Sequence, residues 1–341
     1  MSTETRLHSR RNRLEDVARS AGVSKSIASR VLNDDLDLLV RPETRQRVVD
    51  AARQLNYRPH AAARGLKRAE TGALGLLVPP LANPVYLRII RGAFRRALER
   101  DFVVLLVEDI DPAQTAETAS RLVQAGRIDG LMVASAQPGH PLIELLRERG
   151  IPHVFVNRGV PRSRRNVVVD EDGASAAALD HLVQLGHRRI GHVAGPQELD
   201  TARRRTAGFV KAASARSVLV EVVEGDFGEV GGADGGRRLL ERAPELTALY
   251  TSTLSQAVGV YHAAWQRGLD VPRRVSVVGY DDMPLADYLR PPLTTVRTPL
   301  AELGAAGVDA LIEQLLGGEP RNVVIAAAAQ VVVRASTAAP R

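Results

Sequence analysis

Residues 14–32 read LEDVARSAGVSKSIASRVL, and this stretch decides the fold of the N-terminal part of the chain. Apolar residues recur at helical spacing from Leu14 to Ala21, which predicts a first helix. Gly22 ends that helix, because glycine reaches the left-handed geometry of a tight turn at little cost. Ser24 can then cap a second helix, since serine oxygens accept from the free N–H groups at helix starts.

The second predicted helix, residues 25–32, has two chemically different faces. When its residues are placed about 100° apart, apolar side chains fall on one arc and polar side chains on the opposite arc. The polar arc holds Lys25, Ser26, Ser29 and Arg30. Two short helices joined by a glycine-containing turn are typical of a helix-turn-helix, whose second helix enters the major groove of DNA.

Other helix boundaries in this segment follow from single residues. Pro42 suits the first position of a third helix, because its missing N–H costs nothing there. The apolar stripe of that helix ends near Leu55, and the proline in residues 56–59 (NYRP) ends or redirects the chain. Asn12 and Glu15 have the spacing of a capping box at the start of the first helix.

The positive charge of the chain is concentrated at its N-terminal end. The whole chain has 46 Lys and Arg against 39 Asp and Glu, a net charge of +7. Residues 1–70 hold 15 of the basic and 9 of the acidic residues, a net charge of +6, which leaves +1 for the rest. This asymmetry indicates a polyanion-binding module joined to a nearly neutral body. A solvated basic tail is the alternative.

Composition excludes several classes of protein. The chain has 341 residues, 45% of them hydrophobic, which suffices for two or three packed domains. It has no cysteine, which excludes disulfide scaffolds, cysteine-based zinc fingers, iron–sulfur clusters and cysteine nucleophiles. The sequence has no long apolar run, and its N-terminus is polar and Arg-rich rather than a secretory signal. We therefore expect a cytoplasmic protein without a membrane partner.

Signals for cofactors and catalysis are weak. The sequence has no Gly-x-Gly-x-x-Gly loop, no Walker-type loop and no Gly-x-Ser-x-Gly elbow. His181, His187 and His192 lack the spacing of metal ligands, so we expect structural histidines. We predict no cofactor, no metal and no catalytic residue.

Three stretches of the basic module resemble a known family. They are residues 16–33 (DVARSAGVSKSIASRVLN), 42–45 (PETR) and 55–67 (LNYRPHAAARGLK), and they are similar to the DNA-binding headpiece and hinge of the LacI/GalR family of bacterial transcription regulators. The resemblance implies that Lys25, Ser26 and Arg30 face base edges. The positions that it assigns to DNA binding are Ser24, Lys25, Ser26, Ser29, Arg30, Asn33, Tyr57, Ala63 and Leu66.

The resemblance also divides the N-terminal part of the chain. It implies a basic arm (residues 1–13), a helix-turn-helix domain (residues 14–57) and a hinge helix (residues 58–69). In such proteins paired hinge helices enter the minor groove, where Leu66 matches a wedging leucine and Ala63 a closely packed small residue. A flexible linker is the alternative. The loop after Asn33 is longer and more acidic than in the family.

Residues 70–341 alternate apolar strands with amphipathic helices, which indicates a doubly wound parallel α/β fold. The length fits two Rossmann-like lobes facing each other across a cleft. Residues 268–282 (GLDVPRRVSVVGYDD) and 291–299 (PPLTTVRTP) resemble the effector-binding core of the same family, which is related to periplasmic sugar-binding proteins. The predicted lobes are residues 70–168 with 297–325, and 169–296 with 326–335.

The same resemblance assigns an effector site at the carboxyl ends of the strands, where α/β sheets bind ligands. Its predicted residues are Asn83, Tyr86, Asn157, Arg158, Arg205, Phe227, Thr253 and Asp281. Each has a structural alternative: Asn83 as a helix cap, Phe227 in the core, Arg205 on the surface, Asp281 in a turn. Leu254 stands after Thr253 where the family has a carboxylate, so a common sugar contact is expected to be lost.

These features together predict a homodimeric transcription regulator, most simply a repressor. It would bind a pseudo-palindromic DNA operator and respond to a small polar effector, a sugar or related metabolite. A solute-binding receptor and a sugar- or nucleoside-processing enzyme on the same two-lobed fold are the alternatives.

Overall fold

The computed structural model describes residues 13–32, 35, 38–57, 71–81, 83–326 and 328–341. The chain divides into two compact units, Met1–Thr71 and Gly72–Arg341. Most of the predicted arm, the whole predicted hinge (residues 58–69) and the predicted DNA contacts Asn33, Ala63 and Leu66 lie outside the described residues. Every helix in the described ranges is too short or too polar to cross a bilayer.

The first unit contains three helices in its described part: α1 (Leu14–Ala21), α2 (Lys25–Leu32) and α3 (Pro42–Gln54). Gly22 has a φ of 64°, which is the left-handed turn expected between α1 and α2. The N–H of Ile27 donates to Ser24 Oγ at 3.2 Å, so Ser24 caps α2 as predicted. The buried core of this small unit is formed by Val17, Ala18, Ala21, Ala28, Val31, Val48, Ala51 and Ala52.

The start of α1 differs by one residue from the sequence-based expectation. The N–H of Arg13 donates to Asp16 Oδ2 at 2.8 Å, so Asp16 rather than Glu15 closes the cap. Glu15 has another partner, described below. The prediction was wrong because both acidic residues stand in the first turn and either spacing is plausible from sequence.

The second unit contains two lobes, each built on a sheet covered by helices. The strands of the first lobe are β1 (Ala73–Val78), β2 (Val103–Glu108), β3 (Gly130–Val133), β4 (His153–Val156), β5 (Asn166–Val168) and β11 (Val323–Val324), and its helices are α4 (Val85–Glu99), α5 (Pro112–Gln124), α6 (Pro141–Glu148) and α12 (Leu300–Leu315). The strands of the second lobe are β6 (Arg189–Ala194), β7 (Leu219–Glu224), β8 (Ala248–Thr251), β9 (Ser276–Tyr280), β10 (Thr294–Arg297) and β12 (Gln330–Val332), and its helices are α7 (Glu171–Gln184), α8 (Asp200–Ala215), α9 (Glu229–Arg242), α10 (Leu254–Gln266) and α11 (Leu285–Tyr288).

The two sheets repeat one topology. Their strand orders are β2-β1-β3-β4-β5-β11 and β7-β6-β8-β9-β10-β12. All neighbouring strands are parallel except β12, which runs antiparallel to β10. The carboxyl ends of the parallel strands therefore meet at one edge of each sheet, where ligands bind in such folds. The predicted fold class, a helix-turn-helix domain followed by a two-lobed α/β core, is confirmed.

After β10 the chain passes from the second lobe to the first and then back again. Close packing of α4 against α12 fixes the first of these crossovers. A Cβ on Gly92 of α4 would lie 2.0 Å from Ala301 O, and a Cβ on Gly304 of α12 would lie 2.0 Å from Ile89 O. Only glycine permits this close approach of the two backbones. The packing brings the middle of α4 against the first turns of α12, beside the crossover residues 297–300.

Candidate functional site

The second helix, α2, presents the polar face expected from its sequence. Ser24, Lys25 and Ser26 are exposed, and Ser29 and Arg30 are half-buried. On the opposite face Ala28 and Val31 are buried in the core of the unit. Tyr57 is half-buried against the same core, so the structure places it as a packing residue as well as a candidate DNA contact.

Two acidic side chains pair with the two predicted base-reading cations. Lys25 Nζ donates to Glu15 Oε1 at 2.7 Å, and Arg30 Nε donates to Asp35 Oδ2 at 2.7 Å. The hydrogen bond from Lys25 also lowers the pKa of Glu15. Glu15 and Asp35 were not predicted as site residues. The acidic loop after Asn33 was the signal that pointed to Asp35. DNA that binds Lys25 or Arg30 meets one of these carboxylates beside the donors that it uses.

In the core, buried polar atoms without partners gather at the ends of three strands. Asn157 and Arg158 follow β4, Ser252 follows β8, and Asp281 follows β9. Within the described residues, Asn157 Oδ1, Arg158 Nε, Ser252 Oγ and Asp281 Oδ1 are buried and have no hydrogen-bond partner. A buried polar atom left unpaired costs about 1–3 kcal/mol. These atoms are therefore candidate contacts for a polar ligand.

Arg205 of α8 is the most constrained of the predicted effector residues. Its Nε donates to Glu171 Oε2 at 2.8 Å and its Nη2 to Glu171 Oε1 at 3.1 Å. Its Nη1 donates to the carbonyl of Ser252 at 2.6 Å, and its guanidinium lies 3.8 Å from the ring centroid of Tyr280. Arg205 is buried, so the alternative of a surface arginine is wrong.

The electrostatics of this group follow from its burial. Burial opposes the charge of Arg205, but Glu171, Tyr280 and Asp281 together outweigh it and raise the pKa of Arg205. Burial raises the pKa of Asp281 to about 7, although Arg205 and Arg88 attract its ionised form. Burial and Glu171 together raise the pKa of Tyr280, so its hydroxyl remains a donor. At neutral pH, Asp281 is therefore divided between its ionised and neutral forms.

Two other predicted effector residues, Thr253 and Phe227, make contacts within the second lobe. Thr253 Oγ1 donates to the carbonyl of Phe227 at 2.7 Å and accepts from the N–H of Gln256 at 3.1 Å, which caps α10. The Phe227 ring packs so closely on Gly195 that a Cβ there would lie 2.1 Å from it. Their roles as ligand contacts stay predictions.

Asn83 and Tyr86 lie at the start of α4 in the first lobe. Asn83 Oδ1 accepts from the N–H of Val85 at 3.1 Å, which is the capping role named as its alternative. Tyr86 is buried in the core of that lobe. Neither contact excludes a ligand, but each supplies a structural reason for the residue.

Two of the cavities in the described part of the chain lie between or beside the lobes. One, of about 310 Å³, is lined at the crossover by Arg88, Arg297, Thr298, Pro299, Leu300, Ala301, Glu302, Ala328 and Gln330. The other, of about 160 Å³, has walls from both lobes, including Gly159 and Asp200. The N–H of Gly159 donates to Asp200 Oδ2 at 3.1 Å and so joins the lobes. Neither cavity is lined by a predicted effector residue.

His181, His187 and His192 of the second lobe pair with protein groups. His192 stacks on Tyr250 with ring centroids 4.7 Å apart, and burial lowers its pKa to about 4. His187 pairs with Thr247 and Ser276, and His181 pairs with Thr337. These contacts fit the structural role predicted for them.

Comparison with known proteins covers both units of the chain. Residues 13–60 match the family of bacterial regulatory proteins of the lacI family, and residues 179–337 match the periplasmic binding protein-like domain. The ribose operon repressor of Escherichia coli K12 is 33% identical over 307 residues, which cover 89% of this chain and 92% of that protein.

Two solved structures are also similar over nearly the whole chain. A complex of the transcriptional regulator CelR with cellobiose is 31% identical, has a TM-score of 0.74, and covers 96% of this chain and 100% of that one. The lac repressor dimer bound to operator and the anti-inducer ONPF is 27% identical, with a TM-score of 0.82 and coverage of 97% and 100%. The chain therefore belongs to the lacI family of bacterial regulatory proteins.

Proposed function

We propose that this protein is a transcriptional repressor that binds a pseudo-palindromic DNA operator as a homodimer and responds to a small polar effector in the core. The proposed division is a basic arm (residues 1–13), a helix-turn-helix domain (residues 14–57), a hinge (residues 58–69) and an effector-binding core (residues 70–341). The relatives named above are regulators rather than enzymes, which supports a binding function without catalysis.

The DNA-binding part rests on α2. Its exposed Lys25 and Ser26 and half-buried Arg30 supply the donor types that read base edges and phosphates. Arg30 suits a bidentate contact to guanine, since its fork matches the two acceptors of that base. The similar lac repressor structure is bound to operator, which supports the same docking of α2.

The homodimer is supported by an apolar face on the first lobe. Leu87, Phe94 and Leu98 lie exposed along α4. On the neighbouring edge strand β2, Val103, Leu105 and Leu106 are also exposed. An edge strand with exposed apolar side chains is a pairing surface, which monomers usually protect. A second copy of this chain is the proposed occupant, as in the similar lac repressor dimer.

The effector site rests on one observation: the unpaired buried atoms of Asn157, Arg158, Ser252 and Asp281 at the strand ends. An amide, an arginine, a hydroxyl and a carboxyl suit a polyhydroxylated ligand, because each ligand hydroxyl both donates and accepts. We therefore propose a sugar or a related metabolite. The similar ribose operon repressor and the CelR–cellobiose complex support this class.

Leu254 limits the contacts that the proposed effector can make. Its side chain is buried in the core of the second lobe at the start of α10. It supplies no carboxylate there, so the effector is proposed to lose the sugar contact that the family usually makes at this position.

The proposal is tested by selecting DNA. Sheared genomic DNA from the source organism is incubated with the full-length protein, and the bound fragments are sequenced. We expect a small set of fragments that share a pseudo-palindrome. Uniform recovery of all fragments by the wild-type protein would contradict a sequence-specific regulator. Arg273→Ala removes one exposed positive charge from the core. This variant should recover the same fragments as the wild type, which controls for general charge effects.

A further inference from the structure

Glu171 is a buried carboxylate to which the sequence assigned no role. It is the first residue of α7, and none of its surface is exposed. Its two oxygens accept from Nε and Nη2 of Arg205, and Oε2 also accepts from the Tyr280 hydroxyl at 2.5 Å. Burying a carboxylate is costly unless it is paired and hydrogen-bonded, and Glu171 is both.

These contacts fix the guanidinium of Arg205. Of its five N–H donors, two bind Glu171 and one binds the carbonyl of Ser252. One face of the group is occupied by the Tyr280 ring. Two N–H donors remain, one on each terminal nitrogen. A guanidinium that donates two hydrogen bonds to one carboxylate is held in one orientation, so its remaining donors point in fixed directions.

The pair also changes the charge that a ligand meets. Glu171 balances Arg205, and the nearest further carboxyl, Asp281, adds negative rather than positive charge. Arg88 attracts Asp281 from the first lobe, and His192, whose pKa burial lowers to about 4, is neutral beside Arg205. The Arg205–Glu171 pair therefore carries no net charge, and Arg88 and Arg158 are the other cations of the site.

We propose that Glu171 is a positioning residue for the effector: it holds Arg205 in one orientation and cancels its charge, so that Arg205 donates to uncharged hydroxylated ligands and gives no net attraction to their phosphorylated forms. This rests on the effector site proposed above. In this account Glu171 acts through Arg205 and does not touch the ligand. An ion pair that only stabilises the lobe is the competing explanation.

The first experiment measures the orientation of Arg205 without a ligand. In full-length protein labelled with ¹⁵N-arginine, the Nε–H signal of Arg205 is identified by its loss in Arg205→Lys. We expect this signal to exchange slowly in the wild type and to shift and exchange faster in Glu171→Gln, which keeps the shape but loses the charge. Asp172→Asn, which removes the exposed neighbouring carboxylate of α7, is the matched control and should leave the signal unchanged.

The second experiment measures selectivity by calorimetry with named probes: ribose, glucose and cellobiose, and the phosphate esters ribose 5-phosphate and glucose 6-phosphate. We expect the wild type to bind a neutral sugar at least about tenfold more tightly than its ester, and Glu171→Gln to reduce that ratio at least about tenfold. Glu171→Asp keeps the charge and should preserve the ratio, which also covers the case in which Glu171→Gln does not fold.

The outcomes separate this proposal from the proposed function. An unchanged Nε–H signal together with an unchanged ratio in Glu171→Gln would overturn the positioning role. A wild type that prefers the phosphate ester would overturn the charge argument. A wild type that binds none of the five probes would contradict the sugar class, while the Arg205 signal still decides whether Glu171 positions the guanidinium.

Discussion

Asn157 and Asp281 occupy equivalent positions in the two lobes. Each follows the fourth strand of its lobe and has a left-handed backbone, with φ of 72° and 73°. The N–H of Asn157 donates to Val167 O at 3.0 Å, and the N–H of Asp281 donates to Val296 O at 3.0 Å, in each case toward the fifth strand. Each residue also carries a buried side-chain oxygen without a partner in the described part of the chain.

This equivalence gives the proposed effector site its physical basis. Left-handed backbone is uncommon outside glycine and costs free energy, so it persists where the surrounding structure holds it in place. Here the hydrogen bond to the fifth strand holds it in both lobes. The same local geometry therefore presents an amide from one lobe and a carboxyl from the other. A ligand that pairs with both depends on the relative position of the lobes, which couples binding to lobe movement.

Arg30→Ala tests the recognition helix. The change removes the side chain best suited to guanine, so specific DNA binding should weaken by about 1–3 kcal/mol. The core should unfold at an unchanged temperature, because Arg30 belongs to the other compact unit. Anisotropy titrations with the selected operator and with a scrambled duplex check this. Equal discrimination between the two duplexes by mutant and wild type would show that Arg30 does not read the sequence.

Asp35→Asn tests the carboxylate that pairs with Arg30. In the wild type, DNA competes with Asp35 for the Arg30 guanidinium, which lies 2.7 Å from it. Removing the charge should tighten binding to a scrambled duplex several-fold and steepen its salt dependence by about one counterion. The affinity for the operator should increase less, so the ratio of operator affinity to scrambled-duplex affinity should fall. Weaker binding to both duplexes would instead mean that Asp35 orients Arg30 for contact.

The sequence was sufficient for the fold because its signals are local or periodic. Helical spacing and Gly22 predicted the helix-turn-helix, and the alternation of strands with helices predicted the two sheets. Arg205 and Asp281 entered through the resemblance to a family. Glu171 and Tyr280 were missed, because their contact spans 109 residues and joins a helix start to a strand end. No local pattern distinguishes Glu171 from an exposed acidic residue that favours a helix N-terminus.

Asp281→Asn tests the buried carboxyl through pH. Its pKa is about 7 in the folded protein against an ordinary value of 3.8, so the folded state binds the proton more tightly than the unfolded state. The stability of the wild type relative to Asp281→Asn should therefore rise by about 1 kcal/mol as the pH falls from 8 to 6, while the buried histidines, whose lowered pKa acts in the opposite direction, affect both proteins alike. In Asp281→Asn this contribution disappears. Melting temperatures of both proteins across this range check it, and parallel curves would refute the raised pKa.

Leu98→Glu tests the proposed dimer face. Leu98 is 74% exposed at the end of α4, next to the edge strand that is proposed to pair with a second copy. A charge there should break the dimer while leaving each subunit folded, because the side chain belongs to no core. Sedimentation should show a dimer for the wild type and a monomer for the variant. Trp265→Glu, an exposed change on α10 outside that face, is the control. A variant that remains dimeric places the interface elsewhere.

Arg205→Ala tests the link between the effector site and DNA. The variant should bind operator nearly as the wild type does but lose its response to effector. It also leaves Glu171 buried without its cation, so a loss of stability of about 3–5 kcal/mol is expected. Circular dichroism must therefore show that the variant is folded at the temperature of the assay. A folded variant that responds normally to effector would remove Arg205 from the effector site.

The central claim is tested most directly by anisotropy titration of the purified wild-type protein against the selected palindrome, at several salt concentrations. The account predicts saturable binding in the nanomolar range, a steep salt dependence, and a large loss of affinity when one half-site is scrambled. Weak binding that is equal for the palindrome and the scrambled duplex, and that stays so with each probe sugar present, would contradict it.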